Sequence, residues 1–423
     1  MTKVKFIHTA DLHLDTPFKG LSNWNSDLAS KLKDATFKSF RKIVELCLQE
    51  KVDFLVISGD IFDSENKSLA AQLNFVTELK TLLEKEIPTY FICGNHDPLS
   101  SWLEILQMPK NVFRFNSTEV ERFTYQKSDQ PIADIYGISF QKKIVKNNLA
   151  HSYQLINSNP SPISIAVLHG TVGTSGPHEV YAPFKIEDIT DKGFDYWALG
   201  HIHRRQIVQE KNPTIVYPGN PQGRDFSESG TKGCYLIEIT QNEAPKIKFV
   251  PTHLIRFEEI QVDLTGKDKI DELRDSLQEA ITNLDDYEEN TNYILRITFK
   301  GRSCLHSNLN KPGEIEQLLE LFNEGQLNQS NSIWIDRIDI KTQPNIDIEQ
   351  VKKGTDFTAE ILKSFEKVEA NPEKLTELIK SIGEELSNYQ AKQELIELSD
   401  DEYKEILEKV KWILLDQLLK EQE

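Results

Sequence analysis

Four cysteines, Cys47, Cys93, Cys234 and Cys304, are scattered through 423 residues with no C-x-x-C pair among them. That spacing excludes a disulfide framework and a zinc–thiolate site, and it predicts a reducing, cytoplasmic compartment. Long apolar runs are also missing. Nothing approaches the ~18 residues of a membrane span, and the opening MTKVKFIHTADLHLD breaks its apolar run at His8 and Asp11, too soon for a signal h-region. No membrane partner is expected. No G-x-x-x-x-G-K-[ST] loop occurs, so the chain carries no ATPase-type phosphate cradle, and no repeat or low-complexity segment interrupts it.

What is present is an ordinary globular balance, 38% apolar and 27% charged, in a chain long enough for two or three domains. The net charge of -18 is unevenly placed. Residues 1–252 hold 29 acidic and 28 basic side chains, residues 253–350 hold 20 and 10, and residues 351–423 hold 18 and 11. Solvated helix faces account for most of that C-terminal acidity.

Up to about residue 250, short apolar runs alternate with helical patterns: KVKFIHTA, DFLVISGD, PTYFICGN, ISIAVLHG and FDYWALGH. Bounded by Gly, Pro or Asp, they predict strands buried on both faces. Phe37, Phe40, Val44, Cys47 and Leu48 fall at helical spacing between the first two. From Arg256 to about Thr342 the order is strand, helix, strand, helix, strand, which predicts a separate small α/β module. Beyond the link TQPNIDIEQVKKG the pattern is helical, with helix starts expected at Asn371-Pro372-Glu373 and at Ser399. The expected domains are 1–252, 253–345 and 346–423.

Each of the five apolar runs ends in metal-competent residues: Asp11 and His13; Asp60; Asn95, His96 and Asp97; His169; and His201 with His203. Any one of these is explained by a turn or a surface histidine. Five in register with five strand ends require that explanation five times over, whereas open α/β sheets collect ligand groups beyond the carboxyl ends of their strands. Imidazole mixed with carboxylate and amide oxygen, and no thiolate, suits manganese, iron or zinc better than magnesium or calcium. His8, His151, His178, His253 and His306 are assigned no role. Asp15 and Asp63 read as loop or supporting carboxylates.

The series D-x-H, G-D, G-N-H-D, H and G-H-x-H resembles the calcineurin-like metallophosphoesterases, and within them the DNA repair nucleases of SbcD type. HTADLHLD together with YPGNPQGRDFSESGTKGCYLIEI resembles the bacterial YhaO branch. The resemblance implies an α/β fold: a β-sandwich covered by helices, then a small α/β cap-like domain and a helical C-terminal tail. It implies two divalent ions, Mn2+ foremost with Fe2+ or Zn2+ as alternatives, bridged by Asp60. Asp11, His13 and His203 complete one site; Asn95, His169 and His201 complete the other. A bridging hydroxide would attack phosphorus, with His96 beside the phosphate and Asp97 orienting its ring.

The resemblance further implies DNA as substrate, a homodimer, and docking of the tail on a coiled-coil SMC-type ATPase (SbcC-like or YhaN-like). Two tail stripes are candidates for that contact: Tyr403, Ile406, Leu407, Val410, Ile413 and Leu414, and Trp412, Leu415 and Leu419. Candidate DNA contacts are Lys142, Lys143, Lys146, Arg204, Arg205 and Arg224. The acid surplus of residues 253–350 runs against phosphate-backbone binding, so hydrolysis of nucleotides or other small phosphoesters stands as the alternative. A non-catalytic scaffold is the weakest reading, because only metal would offset the repulsion and desolvation of such a cluster.

Overall fold

The computed structural model describes residues 2–16, 32, 34–63, 68–102, 107–156, 158–173, 180–288, 291–324, 332–371, 374, 377–378, 381 and 400–420. His178, Pro372, Glu373 and Ser399 lie outside the described residues. The chain divides into two compact units: residues 1–259, 288–295 and 323–334, and residues 260–287, 296–322 and 335–423.

The first unit is a two-sheet sandwich. One sheet is built from β1 (Lys3–Thr9), β2 (Phe54–Ser58), β3 (Thr89–Ile92), β4 (Val112–Arg114), β11 (Gly233–Thr240) and β12 (Lys246–Pro251), in the order β12-β11-β1-β2-β3-β4. The other holds β5 (Glu121–Lys127), β6 (Gln130–Gly137), β7 (Ile163–His169), β8 (Tyr196–Gly200), β9 (Gln206–Gln209) and β10 (Thr214–Tyr217), in the order β5-β6-β7-β8-β10-β9. The five apolar runs are β1, β2, β3, β7 and β8.

Their two-sided burial has a simple cause. Alternate residues of a strand point to opposite faces, so Val4, Phe6, Phe54 and Val56 enter the layer between the sheets with Ile165, Val167, Tyr196 and Ala198. Ile7, Leu55 and Ile57 face the other way, onto Phe40, Val44, Cys47, Phe75 and Leu79. These last belong to helices α1 (Ala35–Glu50) and α2 (Leu69–Leu83). Helix α1 stops at Lys51, which takes the left-handed conformation at φ 51°. Helix α2 starts at Ser68, whose side chain accepts the Ala71 N–H. On the far side of the second sheet, Tyr136, Leu168, Trp197 and Leu199 pack under loop residues Tyr153, Phe184 and Phe194.

Strands β13 (Ile255–Asp263), β14 (Asn292–Arg302) and β15 (Ile333–Gln343) form a third sheet in that order. Helices α3 (Ile270–Thr282) and α4 (Glu314–Asn323) fill the intervals where the sequence predicts them. In the second unit α5 (Ile348–Lys353), α6 (Phe357–Glu369) and α7 (Asp400–Lys420) follow. One α7 face, Trp412, Leu415 and Leu419, packs with Ile346, Ile348, Val351 and Leu362. On the stripe expected at 403–414, Leu407 is buried, whereas Ile406, Val410 and Ile413 are exposed. No described helix is long and apolar enough to cross a membrane.

Candidate metal centre

Strand register brings the candidate ligands together. In the parallel pairs, Thr9 lies opposite Ile57 and Ser58 opposite Ile92, so the segments that follow, Asp11, Asp60 and Asn95, leave the sheet side by side. The Asp11 N–H donates to the Gly59 carbonyl and the His13 N–H to the Asp60 carbonyl. In the second sheet His169 lies opposite Gly200, which places His201 next to it. The two sheet ends meet where His169 Nδ1 donates to the Ser58 carbonyl across 2.9 Å.

That approach needs glycine. A Cβ on Gly200 would lie 1.9 Å from the Ser58 carbonyl oxygen, and one on Gly94 would lie 2.2 Å from Asp60 Oδ1. The same crowding leaves its mark on the ligands: Asp11, His13, Asp60 and His201 have φ of 53°, 44°, 50° and 98°. Such conformations cost on the order of 1–3 kcal/mol each in a non-glycine residue, and they collect at functional sites.

All seven candidate ligands converge. Metal-competent atoms of Asp11, His13 and His203 lie within 4.8 Å of one another, as do those of Asp60, His169 and His201. Asn95 joins the second group, with Oδ1 2.9 Å from His169 Nε2. Asp60 sits 1% exposed between them. Its Oδ1 accepts the His96 N–H, while Oδ2 is buried with no hydrogen-bond donor and lies 3.4 Å from His169 Nε2. His13 Nε2 and His203 Nε2 face each other at 3.1 Å. Two ring nitrogens held 3.1 Å apart beside a buried carboxylate oxygen that has no hydrogen bond form an arrangement that a cation would relieve. The residues present therefore fit a pair of divalent ions.

Electrostatics agree with that fit. Burial lowers the His13 pKa to about 3, with the Arg224 charge adding to the effect, so the ring is neutral and able to ligate. His169 runs the other way: burial opposes its charge, but the Asp60 and Asp11 carboxylates carry its pKa to about 9. Burial also works against Asp60, yet the His169, His96 and His13 rings hold its carboxyl well below the usual range. Burial raises the Asp11 carboxyl, with His203 and His169 pulling against it. Asp11 accepts the His201 N–H at 3.0 and 3.1 Å through its two oxygens.

Around this cluster stand supporting groups that no strand-end pattern marks. Glu228 Oε1 lies 2.6 Å from His203 Nδ1. Asp63 Oδ1 lies 3.0 Å from His13 Nδ1, off the axis of a hydrogen bond. Arg224 joins the two carboxylates, with Nη1 2.9 Å from Asp63 Oδ1 and Nη2 2.7 Å from Glu228 Oε1. Burial opposes the Glu228 charge, but the His203 ring and the Arg224 guanidinium hold its carboxyl well below the carboxylate range. Asp15 accepts the Asp63 and Ser68 N–H groups. His8, buried on the sandwich face of β1, bonds Tyr196 Oη and Ser58 Oγ at 3.0 Å each.

His96 stands at the rim with its side chain 34% exposed and its Nδ1 2.8 Å from the Asp63 carbonyl. Asp97 is placed differently from the expectation for it: its carboxylate accepts the Gly94 N–H and the Ile61 N–H, at 2.9 and 3.1 Å. Those bonds tie the G-N-H-D turn to the loop after β2. Among the candidate DNA contacts, Lys142, Lys143, Lys146, Arg204 and Arg205 are exposed. The Arg205 guanidinium lies 4.0 Å above the Phe249 ring. Arg224 is turned inward.

The profile of the calcineurin-like phosphoesterases matches residues 4–205, and that of the metallophosphoesterase YhaO middle domain matches residues 257–343. An uncharacterized metallophosphoesterase YhaO of Bacillus subtilis is 34% identical over 343 residues, covering 81% of this chain and 83% of its own. The DNA double-strand break repair protein Mre11 of Sulfolobus acidocaldarius is 25% identical over 402 residues, covering 90% of this chain and 99% of its own. The Mre11 of Sulfurisphaera tokodaii is 25% identical over 354 residues, with coverages of 81% and 84%. With two sheets whose parallel strands end in this cluster, and a middle module of the YhaO kind following them in the sequence, the chain belongs to the calcineurin-like metallophosphoesterases of the YhaO branch.

Proposed function

We propose that the chain is a two-metal phosphodiesterase acting on DNA, and the nuclease partner of a coiled-coil SMC-type ATPase. The observation that carries the hydrolytic part is Asp60, a buried carboxylate at the junction of two ligand groups, whose Oδ2 makes no hydrogen bond and lies 3.4 Å from His169 Nε2. Asp11, His13 and His203 would hold one ion and Asn95, His169 and His201 the other, with Asp60 shared. When bound, two divalent ions, Mn2+ in this proposal, supply Lewis acidity and a hydroxide nucleophile at neutral pH.

The chain's own groups supply the rest. The Asp63 carbonyl accepts from His96 Nδ1, so a second proton on the ring would sit on Nε2, where the imidazolium could pass it to a leaving oxygen or neutralise phosphate charge. Asp97 holds the backbone that carries Asn95 and His96. Lys142, Lys143, Arg204 and Arg205 are the surface cations for a phosphate backbone. Residues 1–252 are the catalytic domain, 253–345 a cap, and 346–423 the partner-binding region, whose exposed Ile406, Val410 and Ile413 form the docking stripe. The assembly is a cytoplasmic homodimer. DNA as the substrate is supported by the Mre11 relatives, of which that of Sulfolobus acidocaldarius matches 90% of this chain.

One observation favours the second reading, hydrolysis of a small phosphoester: residues 253–350 carry 20 acids against 10 bases. A direct comparison decides between them. The purified chain with Mn2+ is assayed on duplex DNA ends, on single strands and on a chromogenic phosphodiester, with Asp60→Ala as the blank. Cleavage of DNA that is lost in the blank supports the nuclease. Turnover of the small diester alone, with DNA intact even in the presence of the ATPase, overturns it.

A further inference from the structure

We propose that Glu228, braced by Arg224, is a positioning residue that sets the metal affinity of one site, that of Asp11, His13 and His203, separately from the other. This rests on the dinuclear reading above and adds an asymmetry to it. Glu228 Oε1 lies 2.6 Å from His203 Nδ1 and 2.7 Å from Arg224 Nη2. An ionised carboxylate only accepts, so Nδ1 carries the proton and the imidazole lone pair sits on Nε2. Nε2 is the atom that faces His13 Nε2 at 3.1 Å. The 3.1 Å approach of Arg224 Nη2 to His203 Nδ1 follows from both groups donating to one oxygen.

The brace extends to the second histidine of the same site. Arg224 Nη1 lies 2.9 Å from Asp63 Oδ1, and that oxygen faces His13 Nδ1 at 3.0 Å. Arg224 Nε also lies 3.2 and 3.3 Å from the two Glu228 oxygens, and the Arg224 N–H donates to Oε2. One guanidinium thereby fixes both carboxylates that stand behind His13 and His203. On the other side of Asp60, the bond behind His169 goes to the Ser58 backbone carbonyl. A carboxylate behind a ligating imidazole fixes its tautomer and raises its basicity, and losing such a partner costs roughly 10–100-fold in metal affinity. A neutral carbonyl gives orientation with less basicity. The effect of Glu228 is therefore confined to one ion.

Metal-free full-length protein is titrated with Mn2+, bound ions are counted by equilibrium dialysis, and the bound state is read by electron paramagnetic resonance. Wild type takes up two ions with a spin-coupled spectrum. In Glu228→Gln, which keeps the size and one acceptor oxygen but drops the charge, the first ion binds as in wild type. The second binds roughly 10–100-fold more weakly, so limiting Mn2+ gives the uncoupled six-line spectrum. Arg224→Met shifts the same ion in the same direction. Equal weakening of both ions, as a loosened fold would produce, or unchanged binding of both overturns the assignment. Wild type binding fewer than two ions overturns the dinuclear reading, and the proposal with it.

Discussion

The two units differ in where they keep their charges. Among the described residues, every buried acidic or basic side chain lies in the first unit: His8, Asp11, His13, Asp60, Asp97, Asp134, His169, Glu228, Lys232, His253, Arg256 and Glu258. The buried polar groups of the second unit are Ser303, Thr342 and Thr358, whose small neutral side chains pack at little cost. Backbone tells the same story. Four ligand positions of the first unit hold positive φ, whereas α5 and α6 begin on ordinary caps, Asp347 accepting the Gln350 N–H and Asp356 the Ala359 N–H. A region that gathers buried charge and four positive-φ ligand positions in one cluster is built around chemistry; a region whose buried polar groups are small and neutral is built to hold shape and present a surface. The contrast predicts where substitutions act on rate and where they act on partners.

The sharpest break comes at Asp60. Asp60→Ala removes the acceptor shared by both ligand groups, and metal-dependent hydrolysis of a small diester should fall by roughly 10⁴ or more, the scale on which groups acting as a unit fail. His96→Ala is expected to cost less, roughly 10² to 10⁴ in kcat, the range of a lost acid–base group. It should leave Mn2+ binding close to wild type, because His96 Nδ1 is engaged by the Asp63 carbonyl. Titrating metal and rate together on both variants separates the two roles. Loss of Mn2+ from His96→Ala would make that ring a ligand and remove it from acid–base work.

These expectations also mark how far the sequence could be read. The five strand ends were legible because apolar runs of four to eight residues terminated by Asp, Asn or His are a local pattern, and parallel register does the rest. The family match added the pairing of ligands, which no spacing shows. Glu228 was not legible. It sits on a short 3-10 turn inside RDFSES, a stretch that reads as a polar loop, and only tertiary folding brings it to His203, 25 residues away. Arg224 reads as a surface cation for the same reason, since only the folded loop turns its guanidinium onto Glu228 and Asp63. Asp97 differs again: a carboxylate next to a histidine suggests a ring partner, and the sequence gives no sign of the Gly94 and Ile61 N–H groups that its carboxylate accepts.

Acid sharpens the comparison next. Burial lowers the His8 pKa to about 3, with the Leu199 carbonyl partly offsetting it, against 6.5 in the unfolded chain. Between those values the unfolded state binds one more proton than the folded state, so stability falls as pH falls from 6.5. The slope for this residue is about 1.4 kcal/mol per pH unit. His169 has the opposite sign: with its folded value near 9, its contribution is full below 6.5 and is lost as pH rises through 9. Metal-free protein should therefore melt highest near pH 6.5 as far as these rings decide. His8→Asn should flatten the acid side in denaturant melts between pH 6.5 and 5. An unchanged slope would place the acid sensitivity outside the sandwich core.

A smaller signal follows from the same histidine. At pH 7 metal-free His169 is protonated, and ligation through Nε2 requires that proton to leave. Mn2+ binding should release close to one proton at pH 7, and the release should decline toward zero as pH passes 9, with apparent affinity rising over that span. Calorimetry in buffers of different ionisation enthalpy counts the proton. A release that does not vary with pH would assign it to another group.

The smallest effect on the catalytic unit is expected from α7, whose two faces repeat the comparison in one helix. Leu415 is fully buried against Leu362 and Trp412, so Leu415→Ala should destabilise the second unit by roughly 2–5 kcal/mol. Ile406, Val410 and Ile413 recur at i, i+4 and i+7 on the opposite side, and Ile413 is 54% exposed. Changing all three to Lys buries no new charge and removes no packed side chain, so stability should stay within about 0.5 kcal/mol per residue. Small-diester hydrolysis should be unchanged. If this stripe is the docking face, the triple variant loses a coiled-coil ATPase in pull-down while keeping its rate. If it keeps the ATPase, the interface lies on another surface. If it loses stability instead, the stripe is part of the second unit's core, and the contrast between a strained catalytic region and a plain presenting one no longer holds for α7.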